Sequence, residues 1–446
     1  MKRIITLLLL PLLLLVGCRK DDDFGGNQEM RPVPFTVSIK YDQSKFPNTG
    51  GAAKVIVNLE NVATGAKISG TTDNNGDLKL DAVMPGEYNI TSELKMSKTD
   101  YEKLFGKTTN YETVHFGGSQ EKVKVNANIS STVMQISSGN IGDLIIKQYY
   151  YGGSSTKLGA GIRDHFIEIH NNSAETIFAD GLYIALTEGN IDNKVASYTL
   201  ANGQYDWSQT AGGGAAANTD FIYANTIIRI PGNGMQYPIL PGKSIIIAQT
   251  GINHKAPYDR IDGKPVTIQD PELTVDLSKA DFEVYLGDYN ISIGEKPYMW
   301  DIQNIAVPDM EITHWGVASN DLFLSLNSRL GVSIFRATQA EINTWKKVAT
   351  PKSPKGNLSV QVPKGLIIDG VDITDKEQLV PKDLPTDIDA TRTFINQNGS
   401  GLADYTSMSV MRRTKEVING RVVLQDTNNS ANDFVTVKAN PRGYAQ

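Results

Sequence analysis

A single cysteine in 446 residues excludes an internal disulfide, a cysteine metal site and a thiol-based redox pair. Positive charge is also scarce. The chain has 43 Lys and Arg against 49 Asp and Glu, a formal net charge of −6. That balance argues against nucleic acid, and against anionic lipid, held by general electrostatics. Motifs of catalysis are missing as well. No serine sits in a Gly-x-Ser-x-Gly elbow, and Phe105-Gly106-Lys107-Thr108 has Tyr101 where the first P-loop glycine belongs. Of the five histidines, His165 and His170 lie five apart on one expected strand and face opposite sides. Glu168 and His170 share a face, but nothing selects His254 or His314 as a third metal ligand. Glu168 is therefore expected to be a buried, hydrogen-bonded residue. These absences point to a protein without catalytic residues, metal or cofactor.

Long apolar runs are absent too, with one exception. Lys2 and Arg3 precede the stretch 4–16, which is apolar except for Thr6 and Pro11. A bilayer-spanning helix needs about 20 residues, so this run has signal-peptide rather than transmembrane length. It ends in Leu15-Val16-Gly17-Cys18, which resembles a bacterial lipobox. The resemblance implies cleavage before Cys18 and acylation of that residue. Each buried methylene adds about 0.8 kcal/mol, so several acyl chains anchor far more firmly than one. The following Arg19-Lys20-Asp21-Asp22-Asp23-Phe24 resembles the acidic export signal of Bacteroidetes-type surface lipoproteins, which implies an outer-membrane address facing the cell exterior. Residues 18–34 are poor in apolar side chains and read as a flexible tether after a leader at 1–17.

What remains is rich in 40 glycines, 19 prolines and many Thr, Asn and Asp, the composition of short strands joined by turns. Phe35, Val37, Ile39 and Tyr41 alternate with polar residues; Val55, Val57 and Leu59, then Tyr88, Ile90 and Leu94, then Val123 and Val125 do the same. The segment 35–137 thus reads as a β-sandwich. Asp73-Asn74-Asn75-Gly76-Asp77 has Leu78 and Met84 where a calcium loop needs glycine and glutamate, so a hairpin turn is expected there. One helix is expected between a Ser97 cap with Asp100 in a capping box and a terminating Gly106. Thr64-Gly65, the Asp73–Gly76 turn and Met84-Pro85-Gly86 before Tyr88 make this part similar to the carboxypeptidase-regulatory-like, prealbumin-like family. That resemblance implies a small seven- or eight-stranded spacer or adaptor without catalytic residues.

The segment 138–446 differs. Arg163-Asp164-His165-Phe166-Ile167-Glu168-Ile169-His170-Asn171-Asn172, then Asp180-Gly181-Leu182-Tyr183-Ile184, then Leu240-Pro241-Gly242 before an apolar run, resemble a lamin-tail domain. A matching ending stands at Gln425-Asp426-Thr427-Asn428-Asn429, more than a hundred residues later, so the resemblance implies an immunoglobulin-like sandwich with long insertions. The whole chain, including Gly251–His254 and Leu277–Tyr285, resembles an uncharacterised family of Bacteroidetes surface lipoproteins. The fold class expected is mostly β, a prealbumin-like sandwich followed by a larger lamin-tail-like one.

Aromatic rings next to Gly- or Ser-rich loops are the remaining candidates for binding. Tyr150 turns away from its neighbours Tyr149 and Tyr151, and Trp207 follows Tyr205-Asp206, so both are candidates to stack on a glycan or protein ligand. Trp300, Trp315 and Trp345 are expected in the core. The stretch 211–217, AGGGAAA, reads as a flexible loop tip, and Asp369–Asp375 as a solvated acidic turn leading into a short helix near Lys376–Leu379. The function expected is that of a noncatalytic surface lipoprotein, bound to the membrane by its lipid and working beside a TonB-dependent nutrient transporter. A surface adhesin comes second and a carboxylate-dependent hydrolase third.

Overall fold

The computed structural model describes residues 31–43, 46–107, 113–136, 144–173, 176–190, 195–324, 331–374, 382–395, 405–418 and 420–445. Cys18, the leader, most of the tether and the helix expected near Lys376–Leu379 lie outside the described residues. The protein is mostly β, with several antiparallel and mixed sheets and few helices. No helix among the described residues is long and apolar enough to cross a membrane.

Among the described residues the N-terminal part has seven strands. They are β1 (Val33–Tyr41), β2 (Ile56–Asn61), β3 (Lys67–Thr71), β4 (Asp77–Val83), β5 (Gly86–Ser97), β6 (Thr113–Val125) and β7 (Ser131–Ile136). They form a three-stranded sheet in the order β4-β1-β7, in which β1 and β7 run parallel, and a four-stranded sheet in the order β3-β2-β5-β6. Alternation decides which side chains meet between the sheets. Phe35, Val37, Ile39 and Tyr41 from β1 join Val57 and Leu59 from β2 and Tyr88, Ile90 and Leu94 from β5 in one core.

The turn at Asp73 is held as expected. Its carboxylate accepts from the Asn75 and Asp77 amides at 2.8 and 3.0 Å, and Gly76 has φ +84°. Helix α1 (Lys98–Phe105) starts where Ser97 accepts from the Asp100 amide and ends at Gly106, φ +64°. The Ser97 hydroxyl also donates to the Asp100 carboxylate at 2.6 Å. The helix is not simply exposed, because Tyr101 and Phe105 pack with Phe46 and Phe116.

The C-terminal part has two large sheets. One holds six strands in the order Phe282–Glu283, Ser244–Ala248, Phe166–Asn171, Leu144–Tyr150, Met408–Arg412 and Phe434–Lys438. The sequence segments around Phe166, Ile245 and Phe434, far apart in the chain, therefore meet in a single sheet. The other sheet is seven-stranded and centres on Leu182–Thr187 and Phe221–Arg229. Their facing sides share a core that includes Ile146, Tyr149, Ile167, Ile184, Ile334 and Val410. Strands such as Leu182–Thr187 are buried along their whole length because apolar clusters cover the outer faces too.

Candidate functional site

Between the two parts lies a cleft of about 1160 Å³. Its first wall is the outer face of the β3-β2-β5-β6 sheet. The alternation that sends Leu59, Ile90 and Leu94 inward sends Asn58 and Glu60 of β2, and Asn89, Thr91 and Lys95 of β5, outward. The second wall comes from the C-terminal part and includes Thr391, Arg392, Phe394, Arg413, Lys415 and the segment 425–432.

A bulge shapes the first wall. In β6 the register slips between the pairs Tyr88–Val123 and Ile90–Gln120, so β6 has one extra residue there. Lys122 sits in this bulge with φ +54°, a left-handed conformation that costs a non-glycine residue energy. Its amide donates to Asn89 Oδ1 at 3.0 Å. The bulge resets the alternation: Val123 and Val125 pack on the core, and Lys122 lines the cleft.

A buried charge network supports the second wall. Arg412 ends the strand Met408–Arg412, next to the sheet edge, and is fully enclosed. It donates to the Ile146 carbonyl at 2.9 Å, Asp369 at 2.8 Å, Asp426 at 3.0 Å and Asp433 at 3.4 Å. Asp433 in turn accepts from the Thr427 amide and hydroxyl, both at 2.8 Å. Burial raises the carboxyls of Asp369 and Asp433 above the ordinary range, and the Arg412 charge pulls them back. The next residue, Arg413, points the other way and lines the cleft, with its Nε donating to the Asn432 carbonyl at 3.2 Å.

The described lining carries six cationic side chains, Lys67, Lys95, Lys122, Arg392, Arg413 and Lys415, against two acids, Glu60 and Asp426. Glu60 pairs with Lys67 at 3.3 Å and Asp426 is committed to Arg412. In a chain of net charge −6 this is a local reversal of sign. Amides and hydroxyls of Asn58, Asn89, Thr91 and Asn432 complete a polar lining.

The aromatic candidates fare differently from expectation. Tyr150 does face away from Tyr149 and Tyr151, but it is fully buried in a second cluster with Phe166 and Ile246. Its hydroxyl donates to Asp164 at 3.2 Å. Trp207 is also buried, stacked on Tyr223 at 3.6 Å between ring centres and 7° between planes. Both rings are thus removed from solvent, because segments between the strands cover the sheet faces. The stretch 211–217 forms part of that cover and is tied down. The Gly213 carbonyl accepts from Gln361 at 3.1 Å, and the Ala217 carbonyl from the Tyr223 hydroxyl at 2.9 Å.

Conversely, Trp300, Trp315 and Trp345 are only half-buried. Trp315 and Tyr289 line a shallower hollow of about 560 Å³, with ring centres 6.4 Å apart. The acidic stretch at Asp369 is not a solvated turn. Asp369 lies in the strand Ile367–Val371 beside Arg412, and Asp372 is buried against Lys382 at 2.7 Å.

Glu168 is buried and bonded, as expected, to Lys147 at 2.8 Å. His170 lies close by, its ring nitrogens near Ser244 Oγ at 3.2 Å and the Val422 carbonyl at 3.0 Å. His165 is separately enclosed, and burial lowers it to about 3. His254 contacts the Thr250 carbonyl at 3.2 Å and His314 the Leu358 carbonyl at 2.8 Å. Among the described residues no group of three or more His, Cys, Asp or Glu is placed to hold a metal ion.

Residues 240–441 match a family described as a protein of unknown function, DUF4876. The solved structure of a DUF4876 family protein from Bacteroides thetaiotaomicron is similar over 93% of this chain and 98% of its own, at 21% identity and a TM-score of 0.52. A candidate adhesin from Bacteroides ovatus aligns over 86% of this chain and 99% of its own, at 10% identity and a TM-score of 0.18. No curated protein matches. The chain is thus similar to the DUF4876 family over residues 240–441 and shares a mostly β fold with the Bacteroides thetaiotaomicron protein.

Proposed function

We propose that the protein is a noncatalytic lipoprotein of the outer membrane, anchored through Cys18 and facing the cell exterior. In this reading it captures a ligand in the cleft between its two parts and works beside a TonB-dependent nutrient transporter. The observation that carries the reading is the cleft itself: about 1160 Å³, lined by outward-facing polar side chains on a rigid sheet and by a wall braced through Arg412. Binding sites are typically concave and held on such scaffolds. The lining favours binding over hydrolysis. Hydrolysis of a glycoside needs two carboxyl groups flanking the scissile bond. Both described acids in the cleft are already paired with cations.

The test is mild crosslinking of outer membranes, recovery through a tagged C-terminus and mass spectrometry, with Cys18→Ser as control. A stoichiometric transporter recovered with the acylated protein is the expected result. Recovery alone, with matrix binding by the purified protein, would replace capture by adhesion. Membrane retention and acyl labelling unaffected by Cys18→Ser would remove the anchor.

A further inference from the structure

We infer that the cleft binds an acidic polysaccharide, with Lys95, Lys122 and Arg413 as groups that meet its carboxylates or sulfates. The inference rests on the capture role proposed above and specifies its ligand. Two independent observations carry it. The first is the reversal of sign: among the described lining residues six cations stand against two acids, Glu60, which pairs with Lys67, and Asp426, which pairs with Arg412, in a chain of net charge −6. Lys95 and Arg413 reach the cleft from opposite walls, so a bound chain is held from both sides. The cleft walls concentrate that field on a polyanion, while the acidic body repels a general polyanionic surface.

The second observation is Lys122. A bulge residue at φ +54° favours glycine or asparagine, because a Cβ there crowds the backbone. Folding alone therefore selects against lysine at this position. Bulges gather beside binding sites, where they re-aim a side chain, and this one turns a cation into the cleft. Local strain kept at a site where a charge is presented is the pattern of a binding residue.

The other lining groups fit a sugar polymer better than a nucleic acid. Asn58, Asn89 and Thr91 offer donors and acceptors of the kind that pair with hydroxyls. Phe394 is the one aromatic ring among the described lining residues and is half-buried, whereas single-stranded nucleic acid is read by rows of exposed rings.

The experiment is titration calorimetry of the purified chain without its leader, using oligogalacturonate, chondroitin sulfate, neutral mannan and duplex DNA as probes. At least one acidic glycan is expected to bind with an affinity that falls as salt rises, and the two probes separate carboxylate from sulfate recognition. Lys95→Met and Lys122→Gly are each expected to weaken it by about tenfold. Lys122→Gly is also expected to leave the thermal midpoint unchanged or higher, which separates lost binding from lost folding.

Absence of binding to both acidic glycans would overturn the inference, as would DNA bound equally well. Mannan bound in preference, with affinity lowered by Asn89→Ala, would overturn the charge assignment and leave capture standing. The capture role itself fails on the separate recovery experiment, when no transporter accompanies the protein.

Discussion

Gly117 of β6 and the Thr427 carbonyl approach so closely that a Cβ at position 117 would lie 2.8 Å from that oxygen. Only a residue without a side chain allows the sheet edge to meet the second wall of the cleft in this way. Gly117→Val is expected to force the contact apart, at a cost of about 1–3 kcal/mol typical of overpacking. Hydrogen exchange should rise at residues 89–95 and 425–432, and the thermal midpoint should drop. Unchanged exchange and midpoint would mean that the contact does not hold the cleft closed.

The enclosed pair of Lys147 and Glu168 gives a second prediction. Both side chains are fully buried, and the C-terminal segment covers them: the Arg442 amide donates to Glu168 at 3.1 Å and the Tyr444 ring lies 3.7 Å from Lys147 Nζ. Lys147→Met leaves Glu168 buried without its cation, which typically costs about 3–5 kcal/mol. The double variant Lys147→Met/Glu168→Leu should recover most of that loss in urea unfolding. A double variant as unstable as the single one would contradict this.

Stability should respond to pH through buried groups of two kinds. Burial, with a smaller push from the Asp321 charge, raises Asp301 to about 8; burial raises Asp164 to about 7. A carboxyl whose folded pKa lies above its unfolded value supports folding fully below that unfolded value. The support is lost as pH rises through the folded one. These groups therefore weaken the fold between about pH 4 and 8 as the solution becomes more alkaline. Asp301→Asn keeps an acceptor for the Leu286 amide, now at 2.8 Å, and should hold its urea midpoint at pH 9 better than the wild type does. Equal losses in both proteins would rule the group out.

The histidines act in the opposite direction. Burial lowers His165 to about 3 and His254 to about 4. Their contribution is intact above the unfolded value of about 6.5 and disappears as pH falls through the folded ones. Nuclear magnetic resonance should therefore find both rings neutral from pH 5 to 8. A midpoint near 6.5 for either would show that it is solvated.

Trp207 separates burial from binding. Its stack on Tyr223 within an apolar cluster predicts that Trp207→Ala costs about 3–5 kcal/mol, measured by denaturant unfolding. A loss below 1 kcal/mol would contradict the packing.

Local structure was legible where short-range rules decide it. The alternation from Phe35 to Tyr41, the Asp73–Gly76 turn and the Ser97–Gly106 helix need only pleat, turn and capping rules. The β character of the whole followed from the same rules. The site was not legible, because its walls come from β2, β5 and β6 on one side and from residues 391–432 on the other. Nothing local brings Lys95 toward Arg413.

The bulge at Lys122 was hidden for another reason. A one-residue insertion looks like a change of face in a strand, and only pairing with β5 reveals it. Trp207 and Tyr150 misled because a place beside a glycine- or serine-rich loop does not reveal that distant segments will cover it. The same holds for Asp369, whose partner Arg412 lies 43 residues away.

The most direct test of the account is hydrogen–deuterium exchange of the chain without residues 1–17, with and without a saturating amount of whichever acidic glycan, oligogalacturonate or chondroitin sulfate, binds it more tightly. Protection is predicted on both walls together, at residues 58–60 and 89–95 and at residues 391–394 and 425–432. Protection confined to the hollow of Tyr289 and Trp315, or none anywhere, would contradict the assignment of the cleft as the binding site.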